Sequence, residues 1–194
     1  LSVGGLVFCS FVGFLCVSLL FSWPLGRGGG PRGACPTART PYLREIMDQL
    51  SDGEPAQRVV IMKSTQVGLT EVGLNWIGYH IHRALGPMLV VVPTLEVRKR
   101  WVLQRLHPML ADVPVLKALA NTRKRDSANS EDIKDFPGSL VVLSGANSPS
   151  SLRAMPIRHV LADEVDAFPW ELGGEGDPLG LIQRRTANFA RRKV

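Results

Sequence analysis

Four runs of aliphatic residues constrain this chain more than any other feature: RVVIM at 58–62, MLVVV at 88–92, SLVVLSG at 139–145 and IRHVLA at 157–162. A strand with one wet face would alternate apolar with polar residues, so these unbroken runs predict strands covered on both faces. The stretches between them carry helical spacing. Thr40-Pro41, an N-cap followed by proline at the first helical position, opens YLREIMDQL with Leu43, Ile46, Met47 and Leu50 on one face. TEVGLNWIGYHIHRAL sets Leu74, Ile77, Gly78, Ile81 and Leu85 at helical intervals before Gly86-Pro87 stops it. LEVRKRWVLQRL turns Leu95, Val102 and Leu106 to a core, and a third helix is expected over about 108–119. Strands alternating with helices predict an α/β, doubly wound fold, a mostly parallel sheet with helices on both faces.

The 194 residues are 45% hydrophobic and 21% charged, which excludes wholesale disorder and low-complexity classes. The apolar excess is uneven, because residues 1–26 hold no charged side chain. Their opening, LSVGGLVFCSFVGFLCVSLLFSW (1–23), has the length of a membrane anchor with its C-terminal side in the cytoplasm. The chain begins with Leu, and no charged n-region precedes the run as a signal peptide requires, so a mis-called start is the other reading. Residues 27–38, rich in Gly and Pro, read as a flexible join, and 39–194 as the folded domain. The three cysteines, Cys9, Cys16 and Cys35, all precede that domain, so a disulfide framework is excluded and a reducing compartment suits it. A net charge of +6 permits a polyanionic partner without requiring one.

Open parallel sheets bind ligands beyond the carboxyl ends of their strands. After RVVIM comes Lys63-Ser64-Thr65-Gln66-Val67-Gly68-Leu69-Thr70, then a helix. A phosphate loop reads G-x-x-x-x-G-K-[ST]. Gly68 and Thr70 fit that register, whereas Lys63 stands where the first glycine belongs and Leu69 where the lysine does. A lysine at the loop's start can fold back over it, so the charge is displaced and not missing. As a bare pattern this is weak; its place between a strand and a helix raises it. About 100 residues on, IRHVLA ends in Asp163-Glu164. Two acids after a buried strand suit a pair in which the first holds Mg2+ and the second polarises water as a general base, and a solvated turn is the plainer reading.

Six collinear segments, RTPYLREIMD (39–48), KSTQVGLTE (63–71), GPMLVVVPTLE (86–96), GANSPSSLR (145–153), VLADEVDAFP (160–169) and GGEGDP (173–178), resemble the ATPase domain of the phage terminase large subunit, lambda GpA type. The resemblance implies a P-loop NTPase fold of the RecA/ASCE kind, incomplete at its C-terminus. It implies an ATP-hydrolysing motor that translocates double-stranded viral DNA into procapsids. The implied cofactors are ATP and Mg2+. Lys63 to Thr70 would cradle phosphate, Thr70 and Asp163 would hold the metal, and Lys63 and Glu164 would be catalytic. Tyr42 falls where the family stacks an aromatic on adenine. The implied partners are the viral DNA, the terminase small subunit, the portal and procapsid, and further copies of the chain. The implied place is the host-cell cytoplasm, for a protein encoded by a phage or prophage. Family members continue into a coupling motif and a nuclease domain, which this sequence stops short of; Asp132-Ile-Lys134 has a D-x-K nuclease spacing but lacks a convincing upstream acid. The family also favours the mis-called start over a membrane anchor. A helicase-like motor on other nucleic acid, and a truncated module that binds nucleotide or the portal without turnover, are the alternatives.

Several basic residues admit two readings. Arg98, Lys99, Arg100 and Arg105 could touch DNA phosphate or form a solvated helix face, and Arg123, Lys124 and Arg125 read as solvated. Arg153, Arg184 and Arg185 compete as a residue stabilising charge in trans. His80 and His82 lie two apart on a helix and face different ways, which disfavours zinc. Asp166 and Asp177 read as turn caps, and Trp76, Trp101 and Trp170 as core or interface.

Overall fold

A computed structural model describes residues 41–122, 132–153 and 155–194. The expectations for the uncharged front segment, the Gly/Pro join, the Thr40 cap and Arg123 to Arg125 lie outside the described residues. Helix α1 spans Tyr42–Gln49 and α2 Leu69–His82. Strand β1 (Gly86–Val92) is followed by α3 (Leu95–Trp101), a π-helical turn Val102–Leu106, α4 (His107–Asp112) and α5 (Pro114–Thr122). The hairpin β2 (Ile133–Phe136) and β3 (Ser139–Gly145) comes next, then α6 (Pro149–Arg153), β4 (His159–Ala162) and α7 (Pro178–Thr186).

The four strands are ordered β2-β3-β1-β4, with β1 parallel to both β3 and β4. Alternate residues of β1 enter opposite cores. Met88, Val90 and Val92 pack with α1, α2 and the α3–α5 segment, while Leu89 and Val91 pack with Leu152, Leu181 and Ile182 of α6 and α7. Both faces are therefore covered, and the mixed α/β sheet predicted from the unbroken runs is present.

Four elements depart from the expectation, each for a physical reason. IKDF at 133–136 pairs antiparallel with β3 across the Pro137-Gly138 turn, an edge strand too polar to signal itself. The third helix is two, because proline disfavours helical geometry in the residue before it: Val113, ahead of Pro114, is extended at φ −83° and ψ 112°. Upstream, Pro108 has no N–H to give and its ring crowds the carbonyl four residues back, so the helix widens and His107 N–H bonds to Val102 O. RVVIM forms no strand: Val60 and Met62 are 80% and 99% exposed, and among the described residues its sheet-like contact is at Gln57 and Val59, with Val194. Leu85, expected in the core, is exposed past the end of α2.

Candidate functional site

The residues from Lys63 to Gln66 are exposed, and those from Val67 to Thr70 half-buried as the chain enters α2. Gly68 caps that helix in the left-handed region, at φ 84°, where glycine pays no steric penalty. Its carbonyl takes the N–H groups of Glu71 and Val72. No side chain caps the helix start, so Leu69 and Thr70 present N–H groups without an intrahelical acceptor, and the helix dipole adds positive potential there. Tyr42 on α1 donates its hydroxyl to Val67 O at 3.0 Å, which ties α1 to the loop. Between them lies a cavity of about 270 Å³ lined by Tyr42, Ile46, Ile61, Met62, Lys63 and Ser64, among others.

At the carboxyl end of β4, Asp163 N–H bonds to Val91 O, which continues the ladder one residue beyond the strand. Glu164 then turns left-handed, at φ 55° and ψ 48°, and caps the 3-10 turn Val165–Ala167. Among the described residues, the non-glycine positions with positive φ are Gln66 and Glu164, one in each half of this site. Such conformations cost on the order of 1 kcal/mol and collect at functional sites.

Gly73 brings the two halves to one end of the molecule. A Cβ on Gly73 would sit 3.0 Å from Leu161 Cδ2, so the bare glycine lets α2 lie directly on β4. Thr70 is one turn before Gly73 and Asp163 two residues after Leu161, both toward the carboxyl end of the sheet. A threonine hydroxyl and a carboxylate are hard oxygen donors, the chemistry that Mg2+ takes. Among the described residues no group of three or more His, Cys, Asp and Glu forms a dedicated metal cage. Mg2+ is commonly held by one or two protein oxygens, with water and phosphate completing its shell. The residues present fit it.

Neighbouring charges are partly committed. Arg105 Nη1 lies 3.3 Å from Glu71 Oε1, just after Thr70; burial raises the Glu71 carboxyl and Arg105 opposes that. Arg98 is buried and paired with Asp132 at 2.7 Å, so it does not lie on a solvated helix face, whereas Lys99 and Arg100 are exposed. Arg153 is held by Glu175 at 2.6 Å and by Pro149 O, and Asp177 caps α7 as expected. Trp76 and Trp101 are core residues, while Trp170 is 96% exposed on the loop after β4.

Sequence reasoning missed a second polar cluster at the opposite, amino end of β4. His80 of α2 and His159 of β4, both fully buried, share a hydrogen bond between Nε2 and Nδ1. His159 Nε2 reaches Asp52 Oδ1 at 3.3 Å, and Arg158 Nη2 reaches Asp52 Oδ2 at 3.0 Å. Trp76 packs edge-on against both imidazoles. Partners 79 and 107 residues apart leave no local signature, so no pattern in the sequence could have shown it.

The family model described as the phage terminase large subunit gpA, ATPase domain, matches residues 29–194. The terminase large subunit of Escherichia phage lambda is 26% identical over 147 residues, which are 75% of this chain and 23% of that protein. The match therefore spans about a quarter of the relative's length. No solved structure matches the chain. Over most of its length, and with a mostly parallel α/β sheet to match, this chain belongs to the gpA family of phage terminase large subunits, in the ATPase domain of that family.

Proposed function

We propose that this chain is the ATP-hydrolysing motor domain of a DNA-packaging terminase, which moves double-stranded viral DNA into procapsids. One observation carries the reading. Gly73 seats α2 on Leu161, which sets the uncapped start of α2, with Thr70, at the end of the sheet where β4 delivers Asp163 and Glu164.

Each residue then has work matched to its chemistry. The N–H groups of Leu69 and Thr70 donate to phosphate oxygens, as helix N-termini do for anions. Lys63 supplies the cation from the start of the loop, and Ser64 to Val67 complete the turn around the phosphates. The Thr70 hydroxyl and the Asp163 carboxylate would hold Mg2+, which would neutralise phosphate charge during transfer. Glu164 accepts a hydrogen bond from the attacking water, orients it for in-line displacement and takes its proton. Tyr42, with Ile46, Ile61 and Met62, gives the adenine a mostly apolar cavity beside the loop.

As packaging partners we propose viral DNA, the terminase small subunit, the portal of the procapsid and further copies of the chain. The proposed setting is the cytoplasm of an infected or lysogenic cell. The domain proper is taken as 39–194, after the uncharged 1–26 and the join 27–38.

The test is Mg2+-dependent ATP hydrolysis and nucleotide binding by Lys63→Ala and Glu164→Gln variants. Glu164→Gln should still bind nucleotide while turnover drops by about 10² or more, the scale of a lost general base. Lys63→Ala should lose both. Undiminished hydrolysis in either variant overturns the assignment.

A further inference from the structure

A carboxylate stands in the first turn of the helix that the proposed reading offers to phosphate. With Gly68 as the cap, Glu71 is the third residue of α2, directly after Thr70. Its Cα–Cβ bond, like every one on a helix, is tilted back toward the helix start. An acid there draws on the positive potential of the dipole and the unpaired N–H groups, the same potential that an anion would use. The Glu71 side chain is 17% exposed, so water and salt screen its charge poorly.

Arg105 answers that charge. Its Nη1 donates to Glu71 Oε1 at 3.3 Å, across 34 residues of sequence. The π-helical turn Val102–Leu106 places it. Residues five apart on an α-helix lie about 140° from one another around the axis. In this turn a hydrogen bond closes over five residues, from His107 N–H to Val102 O, and residues five apart come much closer to one line. Trp101 and Leu106 accordingly both reach the core that α2 shares, and Arg105, beside Leu106, emerges at its edge. The Arg105 side chain is half in water, and ion pairs of that kind add little to folding. Their effect on a bound anion is larger, because the anion meets Glu71 either with or without its countercharge.

We infer that Arg105 is an electrostatic positioning residue for the nucleotide phosphates: it cancels the charge of Glu71 and so keeps the start of α2 positive. The inference rests on the proposed ATPase reading and deepens it. Arg105 acts through Glu71 and needs no contact with nucleotide of its own. Glu71 is then a built-in brake on anion binding, and the α3–α4 segment holds the group that releases it.

A double-variant cycle tests this by calorimetric titration of the full chain with ATP in the presence of Mg2+. Arg105→Gln leaves Glu71 uncompensated and should weaken ATP binding about tenfold, the scale of one unit charge a helical turn from an anion near a protein surface. Arg105→Lys keeps the charge and should stay within about threefold of the wild type. Glu71→Gln should bind at least as tightly as the wild type. The double variant, Glu71→Gln with Arg105→Gln, should recover the affinity of Glu71→Gln alone, because no charge is left to cancel. Three results overturn the inference while leaving the ATPase reading in place. Wild-type affinity in Arg105→Gln means that Glu71 does not act on the phosphates. A double variant as weak as Arg105→Gln means that Arg105 reaches a phosphate directly. Weak binding by Glu71→Gln means that the pair holds the loop mechanically. A wild-type chain that binds no ATP overturns the ATPase reading and this inference together.

Discussion

Tyr42 shows how a single side chain can carry two separable roles. Its hydroxyl holds the Val67 carbonyl, while its ring, 53% exposed, walls the cavity beside the loop. An exposed hydrogen bond contributes at the low end of about 0.5–1.5 kcal/mol, whereas a base stacked on an aromatic ring is worth about 1–3 kcal/mol. Tyr42→Phe should therefore keep ATP affinity within about threefold, and Tyr42→Ala should weaken it about tenfold or more. Titration with a fluorescent ATP analogue separates the two variants. If Tyr42→Phe falls as far as Tyr42→Ala, the hydroxyl's hold on the loop is the important contact and stacking is not. That hydroxyl bond has no signature in the sequence, because it depends on how α1 lies against a loop 25 residues away.

Elements were legible in the sequence where their signals were local. Ser139–Gly145 and the core of β1 are the strands that their unbroken Val and Leu runs predict, and Gly68 and Thr70 mark the entry to α2. β2 carries no strand signal and the 58–62 run carries one without becoming a strand, for one shared reason: strand formation is decided by partners distant in sequence, so a polar IKDF pairs along its length while an apolar RVVIM bonds at Val59 and leaves Val60 and Met62 exposed. The same dependence on neighbours makes Gly145, the last residue of β3, sensitive. A Cβ there would lie 2.7 Å from Leu95 N and 2.8 Å from Thr94 C, and both contacts are backbone at the entry to α3. Neither can swing aside as a side chain would. Gly145→Ala should destabilise by about 2–3 kcal/mol through overpacking, read as a lower urea midpoint with unchanged slope. A loss below about 0.5 kcal/mol would mean that the β1–α3 turn moves more freely than its packing implies.

The whole molecule is tied together at the end of the sheet remote from the candidate site, and that tie titrates. His80 and His159 join α2 to β4, and Asp52, Arg158 and Lys193 face them from the α1–α2 connection, the start of β4 and the C-terminus. Burial first, then repulsion from the neighbouring His159, pushes His80 down to about 3; burial likewise lowers His159 against the pull of Asp52. Burial would raise Asp52, but its bonds to His159 and Arg158 outweigh that and hold it low. The unfolded chain takes up protons on both histidines below about pH 6.5, and the folded chain refuses them. Stability contributed by the pair is thus fully present above pH 6.5 and is lost as the pH falls toward the folded values. His80 alone accounts for about 1.4 kcal/mol per pH unit across that window, so about 2 kcal/mol between pH 7 and pH 5. His159 adds in the same direction, and Asp52 contributes its own loss only below its unfolded value near 3.8. His80→Gln keeps a hydrogen-bonding side chain that does not titrate. Urea unfolding at half-unit pH steps from 7 to 4.5 should show stability falling less steeply in that variant, by about one bound proton, whatever its stability at pH 7. The other histidines, His82 and His107, are common to both proteins and cancel in the difference. Parallel pH profiles would mean that His80 is protonated in the folded state, and that the neutral pair is not what locks α2 to β4.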